Sequence, residues 1–249
     1  MGIVITITSG KGGTGKTSLT GGIAASLAQM GRSVLCIDMD IGLRNLDIAL
    51  GLNDRALMDF SDVALGRCPL ARAAVEHPDI KGLSLLSSPM SLPSNLTAES
   101  VRSMLNTART MYDYILIDSP AGLGTGFHLA VCAADRVLVV ATNDATSLRD
   151  AQRTVLQLEH IPKVHLIMNR IQPQLLRRLR TTIDDAMNSA GLPLIGVVPE
   201  DVHVMLCANQ NLPLITRGKR GAAQACWNIA HRLEGYPIPI MRIRKQGLL

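Results

Sequence analysis

Aromatic residues are nearly missing from this 249-residue chain: two Phe, three Tyr and one Trp, 2% of the whole. A core built from it has to be aliphatic, with methionine filling irregular gaps. Paired cysteines are missing too. Cys36, Cys68, Cys132, Cys207 and Cys226 are scattered, with no CxxC among them. An odd, dispersed set excludes a disulfide scaffold and fits reduced thiols in the cytosol. None of the six histidines pairs with a cysteine at metal-ligand spacing,. No apolar run approaches the roughly 18 residues of a membrane span. Residues 1–8 are apolar but show neither a basic leading region nor a cleavage site, so they are not read as a signal peptide,. No internal repeat, low-complexity tract or linker interrupts the sequence.

What is present fits one large α/β domain. Hydrophobic residues make up 47% and charged residues 18%, a globular balance,. The net charge of +5 permits an anionic partner without requiring one,. Apolar runs of strand length alternate with longer helical patterns. Strands are expected at Ile3–Thr8, Ser33–Asp38, Tyr112–Pro120, Asp135–Thr142, Lys163–Arg170 and Leu192–Asp201. Helices are expected at Lys16–Met30, Ser147–Glu159 and Ala222–Leu233,. Residues 51–110, with Pro69, Pro78, Pro89 and Pro93, predict only short helices and an extra strand near Gly82–Ser87. The strands are continuous aliphatic runs, as expected of a mostly parallel sheet between two helix layers. Residues 1–235 form the expected domain and 236–249 a short basic and apolar tail.

The stretch "SGKGGTGKTS", Ser9–Ser18, joins the first strand to the first helix and holds four glycines. Gly10-x4-Gly15-Lys16-Thr17 satisfies the phosphate-loop template,. The residues Gly10, Lys11, Gly12, Gly13, Thr14, Gly15, Lys16, Thr17 and Ser18 can cradle phosphate through successive backbone N–H groups,. Lys16 supplies a charge to the terminal phosphates and Thr17 a hydroxyl to magnesium. "GKGGTG" also matches a dinucleotide-binding GxGxxG, with Asp38 near the right distance,. Such a loop, however, has no use for Lys16-Thr17. Asp118, ending the apolar run in "YILIDSPAG", is the acid a phosphate loop needs for its metal shell,. "DMDIGLRNLD", Asp38–Asp47, comes after the second strand, and a carboxylate there can orient a water over the γ-phosphate,.

Together "KGGTGKTS", "DMDIGLRNLD", "DSPAG", "MNR", "GVVPED" and "ANQNLP" resemble the MinD/ParA family of ATPases with a deviant Walker A motif, and within it the MinD branch. The match runs from Ile3 to about Leu233. It implies a three-layer α/β/α phosphate-loop fold hydrolysing ATP to ADP and phosphate with Mg2+. It implies that Lys11, Lys16 and Asp40 are catalytic, with Lys11 reaching the phosphates of a second subunit in an ATP-bound homodimer. Asp38 and Asp118 would hold magnesium through water, beside Thr17. Asn169, Pro199 and Asp201 would line the adenine. Arg44, Asn45 and Gly122 would be switch and dimer residues, and Asp150 would meet inhibitor and activator partners of MinC and MinE type. Thr14 and Ser18 stand where the family more often has Val and Thr.

The function so implied is control of membrane association and of where the division septum forms. The protein would be cytoplasmic, and peripheral on the inner face of the membrane in its ATP state. Relatives that position flagella or partition DNA are the alternatives. "RRLR", Arg177–Arg180, fits a solvated helix face better than a nucleic-acid surface. A cluster-carrying redox relative would need a reactive Cys132, whose setting "LAVCAAD" reads as an ordinary core thiol,. The tail "GYPIPIMRIRKQGLL", with Arg242, Arg244 and Lys245, is a segment that can lie at an anionic membrane surface,. Pro237 and Pro239 confine any helix to the residues after them, and "MRIRK" alternates as an edge strand does.

Overall fold

The computed structural model describes residues 1–241 and 243 apart from 43 and 54. In chain order the elements are β1 (Ile3–Thr8), α1 (Lys16–Gln29), β2 (Val34–Asp38), α2 (Leu46–Leu50), α3 (Phe60–Ala64), α4 (Leu70–Ala73), β3 (Val75–Glu76), β4 (Leu83–Leu86), α5 (Ala98–Met111) and β5 (Tyr114–Asp118). They continue with α6 (Thr125–Val131), β6 (Arg136–Ala141), α7 (Ala145–Leu156), β7 (Val164–Ile171), α8 (Pro173–Leu179), α9 (Ile183–Ala190), β8 (Leu194–Pro199), α10 (Val202–Asn209) and α11 (Gly221–Leu233). The strands form one eight-stranded sheet in the order β3-β4-β2-β5-β1-β6-β7-β8. Every neighbouring pair is parallel except β3 with β4, at one edge.

Alternate residues of each strand supply opposite faces. Ile5, Ile7, Cys36, Leu116, Leu138 and Ile167 pack under α1 and α11. On the other face Val4, Leu35, Ile37, Ile115 and Ile117 meet α3, α4 and α5. Farther along that face Val137, Val139, Leu166 and Met168 meet α6, α7 and α9. Each fully buried aliphatic side chain contributes about 1.5–3 kcal/mol. Thr6 is a polar exception, and its hydroxyl donates to the Ala130 carbonyl at 2.6 Å.

Two expectations are corrected. Residues 51–110 hold more than short helices, since α5 runs 14 residues. Its apolar positions Val101, Met104, Leu105 and Ala108 fall on one face, and Thr97 with Ser100 forms a capping box at its start,. In addition, α2, β3, α6, α9 and α10 stand where no element is expected from the sequence. The Arg177–Arg180 run does lie on an exposed face, in α8 and its C-cap.

After α11 the chain stays on the body. Arg232 donates to the carbonyls of Ile238 and Pro239, at 2.8 and 2.5 Å. Met241 packs against the cluster under α1 and α11, and Ile243 against the cluster on the opposite face. Arg242 and residues 244–249, which carry the expected basic tail, lie outside the described residues.

Candidate nucleotide site

β1 is central, so the loop after it has strand ends on both sides. β2 and β5 deliver acids to one side, and β7 and β8 deliver Asn169 and Pro199 to the other. All leave the same carboxyl edge, where open parallel sheets bind ligands. The glycines of the loop answer to geometry. Gly13 and Gly15 sit at φ 77° and 89°, a region that side chains with a Cβ avoid,. Gly10 is needed for a different reason, because a Cβ there would lie 2.5 Å from the Asp150 carbonyl oxygen.

α1 begins at Lys16, which is only 6% exposed. Burial lowers the pKa of its ammonium, and the charges of Asp118 and Asp40 oppose that shift. Asp38 and Asp118 are register partners on adjacent strands. Both carboxyls are buried, and burial is the main reason that Asp118 is pushed up to about 7 and Asp38 to about 6. Asp38 accepts the Asp40 and Leu46 amides at 2.9 and 3.2 Å. Asp118 accepts the Thr20 hydroxyl at 3.4 Å, and the nearby Thr17 hydroxyl works against the rise in its pKa. Its Oδ2 is buried with no hydrogen-bond partner among the described residues. Asp40 is raised too, by burial, against the pull of Lys16.

Two cavities flank the loop and share Gly13, Gly15 and Ser18. The one toward the acids, about 490 Å3, is lined by Lys16, Thr17, Asp40 and Asn45. The other, about 310 Å3, is lined by Asn169, Pro199 and Asp201. The structure thus brings together the residues expected at phosphate, metal and base. It also gives two of them structural duties. Asn169 donates from Nδ2 to the Thr14 carbonyl at 2.7 Å, bracing the loop. Asp201 caps α10 through the His203 amide and accepts the Ala222 amide that opens α11.

The remaining expected residues lie at the rim. Arg44, with φ 46°, folds back to donate from Nε to the Ser88 carbonyl at 2.7 Å. Gly122 turns at φ 85° and places its amide 3.4 Å from the Ser9 carbonyl. Asp150 sits on α7 against the loop and is 4.0 Å from Arg153. Lys11 points away from Lys16's cavity, and its Nζ lies 2.7 Å from Asp144 Oδ1 and 3.3 Å from the Thr146 hydroxyl. Burial opposes ionisation of Asp144, but bonds from Lys11, Thr142, Thr146 and the Ser147 amide hold it well below the usual carboxylate range.

Sequence reasoning missed Asp144 and the Arg170–Glu200 pair. Arg170 Nε and Glu200 Oε2 are 2.8 Å apart, and Arg170 Nη1 lies 3.4 Å from the Gly13 carbonyl. A signal existed in each case: Arg170 comes directly after Asn169, and Asp144, the N-cap of α7, stands three residues before the expected helix Ser147–Glu159.

Residues 5–214 match the CobQ/CobB/MinD/ParA nucleotide binding domain. Over nearly its whole length the chain is also similar to the septum site-determining protein MinD of Helicobacter pylori, at 40% identity across 99% of this chain and 96% of that one. The chain belongs to the MinD family. Among solved structures, MinD in the MinC:MinD cell division protein complex of Aquifex aeolicus superposes with a TM-score of 0.89, at 38% identity over 96% of this chain and 99% of that one. The Pyrococcus horikoshii MinD complexed with Mg-ADP gives 0.82, at 26% identity over 94% and 96%. Nucleotide binding is therefore the family's business, and the eight-stranded phosphate-loop fold is the family's fold. Cys132, the residue a cluster carrier would need, is half-buried with its thiol pKa raised by burial, as an ordinary core thiol would be.

The donor set fits a magnesium ion. Among the described residues no group of three or more His, Cys, Asp and Glu forms a metal cage. The ion suited to one hydroxyl, one orphaned buried carboxylate oxygen, phosphates and water is a hard, octahedral one.

Proposed function

We propose that the chain is a MinD-type ATPase switch, hydrolysing ATP to ADP and phosphate and so governing where the division septum forms. The observation that carries this reading is the Lys16–Asp118–Asp40 constellation at the mouth of the phosphate loop, with Asp118 Oδ2 buried and unpaired. Thr17 would ligate Mg2+ directly, and Asp118 and Asp38 would hold its water. The bound ion neutralises phosphate charge. Lys16 neutralises more of that charge at the terminal phosphates, and its buried position makes the contact strong. Asp40 accepts a proton from, and orients, the water that attacks in line with the leaving ADP. The adenine sits in the cavity lined by Asn169 and Pro199.

Lys11 completes the site of a second subunit, so ATP holds two copies together and hydrolysis releases them. The dimer gathers two C-terminal segments, and weak contacts to an anionic membrane add by avidity. MinC-like and MinE-like regulators would bind beside α7, where Asp150 touches the loop. The similarity to MinD in a MinC:MinD complex supports the first of these. Residues 1–235 act as the ATPase domain and the segment after them as the membrane contact. No described helix is long and apolar enough to cross a membrane. Relatives over nearly the full chain are septum site-determining proteins, which favours this role over flagellar placement or DNA partition.

Isothermal titration with ATP and Mg2+ tests the core of the proposal. Lys16→Ala is expected to abolish binding, and near-normal affinity in that variant would refute the phosphate-loop assignment.

A further inference from the structure

At the opposite, amino edge of the sheet lies another cavity, about 420 Å3 and open to solvent. Arg136 opens β6, Lys163 immediately precedes β7, His165 is the second residue of β7, and Arg232 lies in the last turn of α11. All four line this cavity, and among the described residues no acidic one does. Arg136 and His165 continue the sheet face that carries Leu138 and Ile167 under α11,. Where that helix ends, the apolar face gives way to cations. The acids next in sequence are engaged elsewhere. Asp135 binds Arg109 and the Val4 amide. Glu234 binds Arg32.

Two of the cations are held in place by backbone. Arg136 Nη1 donates to the Leu233 carbonyl at 2.8 Å. Arg232 donates to the carbonyls of Ile195, Ile238 and Pro239. The His165 ring is partly buried, and its Nδ1 meets no hydrogen-bond partner among the described residues. Burial, Arg136 and Lys163 all disfavour a proton on it. Two cations acting on a histidine, with a third lining the same cavity and no acid among its described lining residues, raise the folded state's energy unless an anion joins them,.

We propose that this cavity is a binding site for a phosphate group, taken from a membrane lipid headgroup or from a soluble phosphate. The Ile238–Pro239 segment tied to Arg232 precedes the basic Arg242, Arg244 and Lys245 in sequence. Tyr236 and Ile240 beside it are 53% and 40% exposed, apolar surface suited to the same boundary,. The lipid arm of the proposal rests on the membrane reading above, and the soluble arm does not.

The test tracks the ring Cε1–H resonance of His165 by NMR in the full chain, saturated with Mg-ADP so that the phosphate loop is filled. The resonance is assigned by its loss in His165→Gln. Inorganic phosphate, glycerol 3-phosphate and dihexanoyl-phosphatidylglycerol below its micelle concentration are titrated separately. A saturable shift is expected, weakened about five-fold in Lys163→Gln, since one basic residue near an anionic surface is worth about that factor. Lys163 is exposed and its side chain bonds none of the described residues, so this variant keeps the fold. A shift with the lipid assigns a headgroup site, and one with the soluble probes alone assigns a soluble phosphate. No shift with any probe, or a shift unchanged by Lys163→Gln, overturns the proposal. Vesicle sedimentation with ATP, using phosphatidylglycerol in phosphatidylcholine, is run in parallel. Sedimentation without a His165 shift retires the cavity and leaves the membrane reading standing. A His165 shift without sedimentation does the reverse.

Discussion

Three carboxylates beside the phosphate loop, two of them acting on the buried Lys16, divide the work because their surroundings differ. Asp118 and Asp38 end strands and are buried, while Asp40 stands two residues farther out at the cavity rim. In the proposed mechanism Asp40 acts on the attacking water and does not bind phosphate in the ground state. Asp40→Ala should therefore keep ATP affinity and lose roughly 10²–10⁴ in hydrolysis rate. Phosphate release assayed under saturating ATP decides this, and an unchanged rate would remove Asp40 from the mechanism. The buried pair makes a second prediction, for protein free of nucleotide and Mg2+. A carboxyl whose folded pKa is raised above its unfolded value near 3.9 binds its proton more tightly when folded. Its stabilisation is complete below that unfolded value and is lost as pH rises through the folded one. With Asp38 at about 6 and Asp118 at about 7, thermal stability should fall between about pH 4 and pH 7,. Asp118→Asn should flatten that fall and Mg-ADP should oppose it. A melting temperature that rises over this window in the native chain would contradict the assignment.

At the scale of elements, most of what positions the site was legible because it rests on local signals. The apolar runs of β1, β2, β5, β6, β7 and β8 and the glycine loop need no tertiary knowledge. α5 was obscured by the prolines that precede it, although Thr97 and the spacing Val101, Met104, Leu105, Ala108 mark it. The duties of Asn169 and Asp201 could not be read, because the partners Thr14 and Ala222 lie far off in sequence. Helix packing was equally hidden. Gly22 of α1 faces α11 so closely that a Cβ would lie 2.7 Å from Cys226 Sγ. Gly22→Ala gains helix propensity yet should destabilise by about 1–3 kcal/mol through overpacking. Cys226→Ala in the same chain should return much of that loss, because the clashing atom is the sulfur. Denaturant unfolding of both single variants and the double measures the coupling. Strict additivity would mean that the two helices do not meet as described.

For the whole molecule the decisive residue is Lys11, whose lysine an intramolecular phosphate loop does not need. In the single chain its ammonium rests on Asp144, both side chains being partly exposed, at 34% and 48%. An ion pair of that kind is worth about 0–1 kcal/mol. It can hold the lysine ready without resisting its transfer to a triphosphate, which offers several negative charges in a site closed from water. In the dimer proposed above, the pair would act as a parking place, and the free energy of dimer formation would come from nucleotide on the far side of the interface. Lys11→Ala should bind ATP with affinity within a few-fold of the native chain but remain a monomer by light scattering with Mg2+ and a non-hydrolysable analogue. Asp144→Asn separates the two roles. It weakens the parking contact while leaving Lys11 its charge, so the variant should still dimerise with the analogue. If Lys11→Ala dimerises normally, the cross-subunit role falls. If Lys11→Ala instead loses ATP affinity outright, the lysine serves its own subunit's phosphates. If Asp144→Asn also stays monomeric, the acid belongs to the interface itself, and the contact seen in the single chain is a fragment of a larger network that only two copies complete.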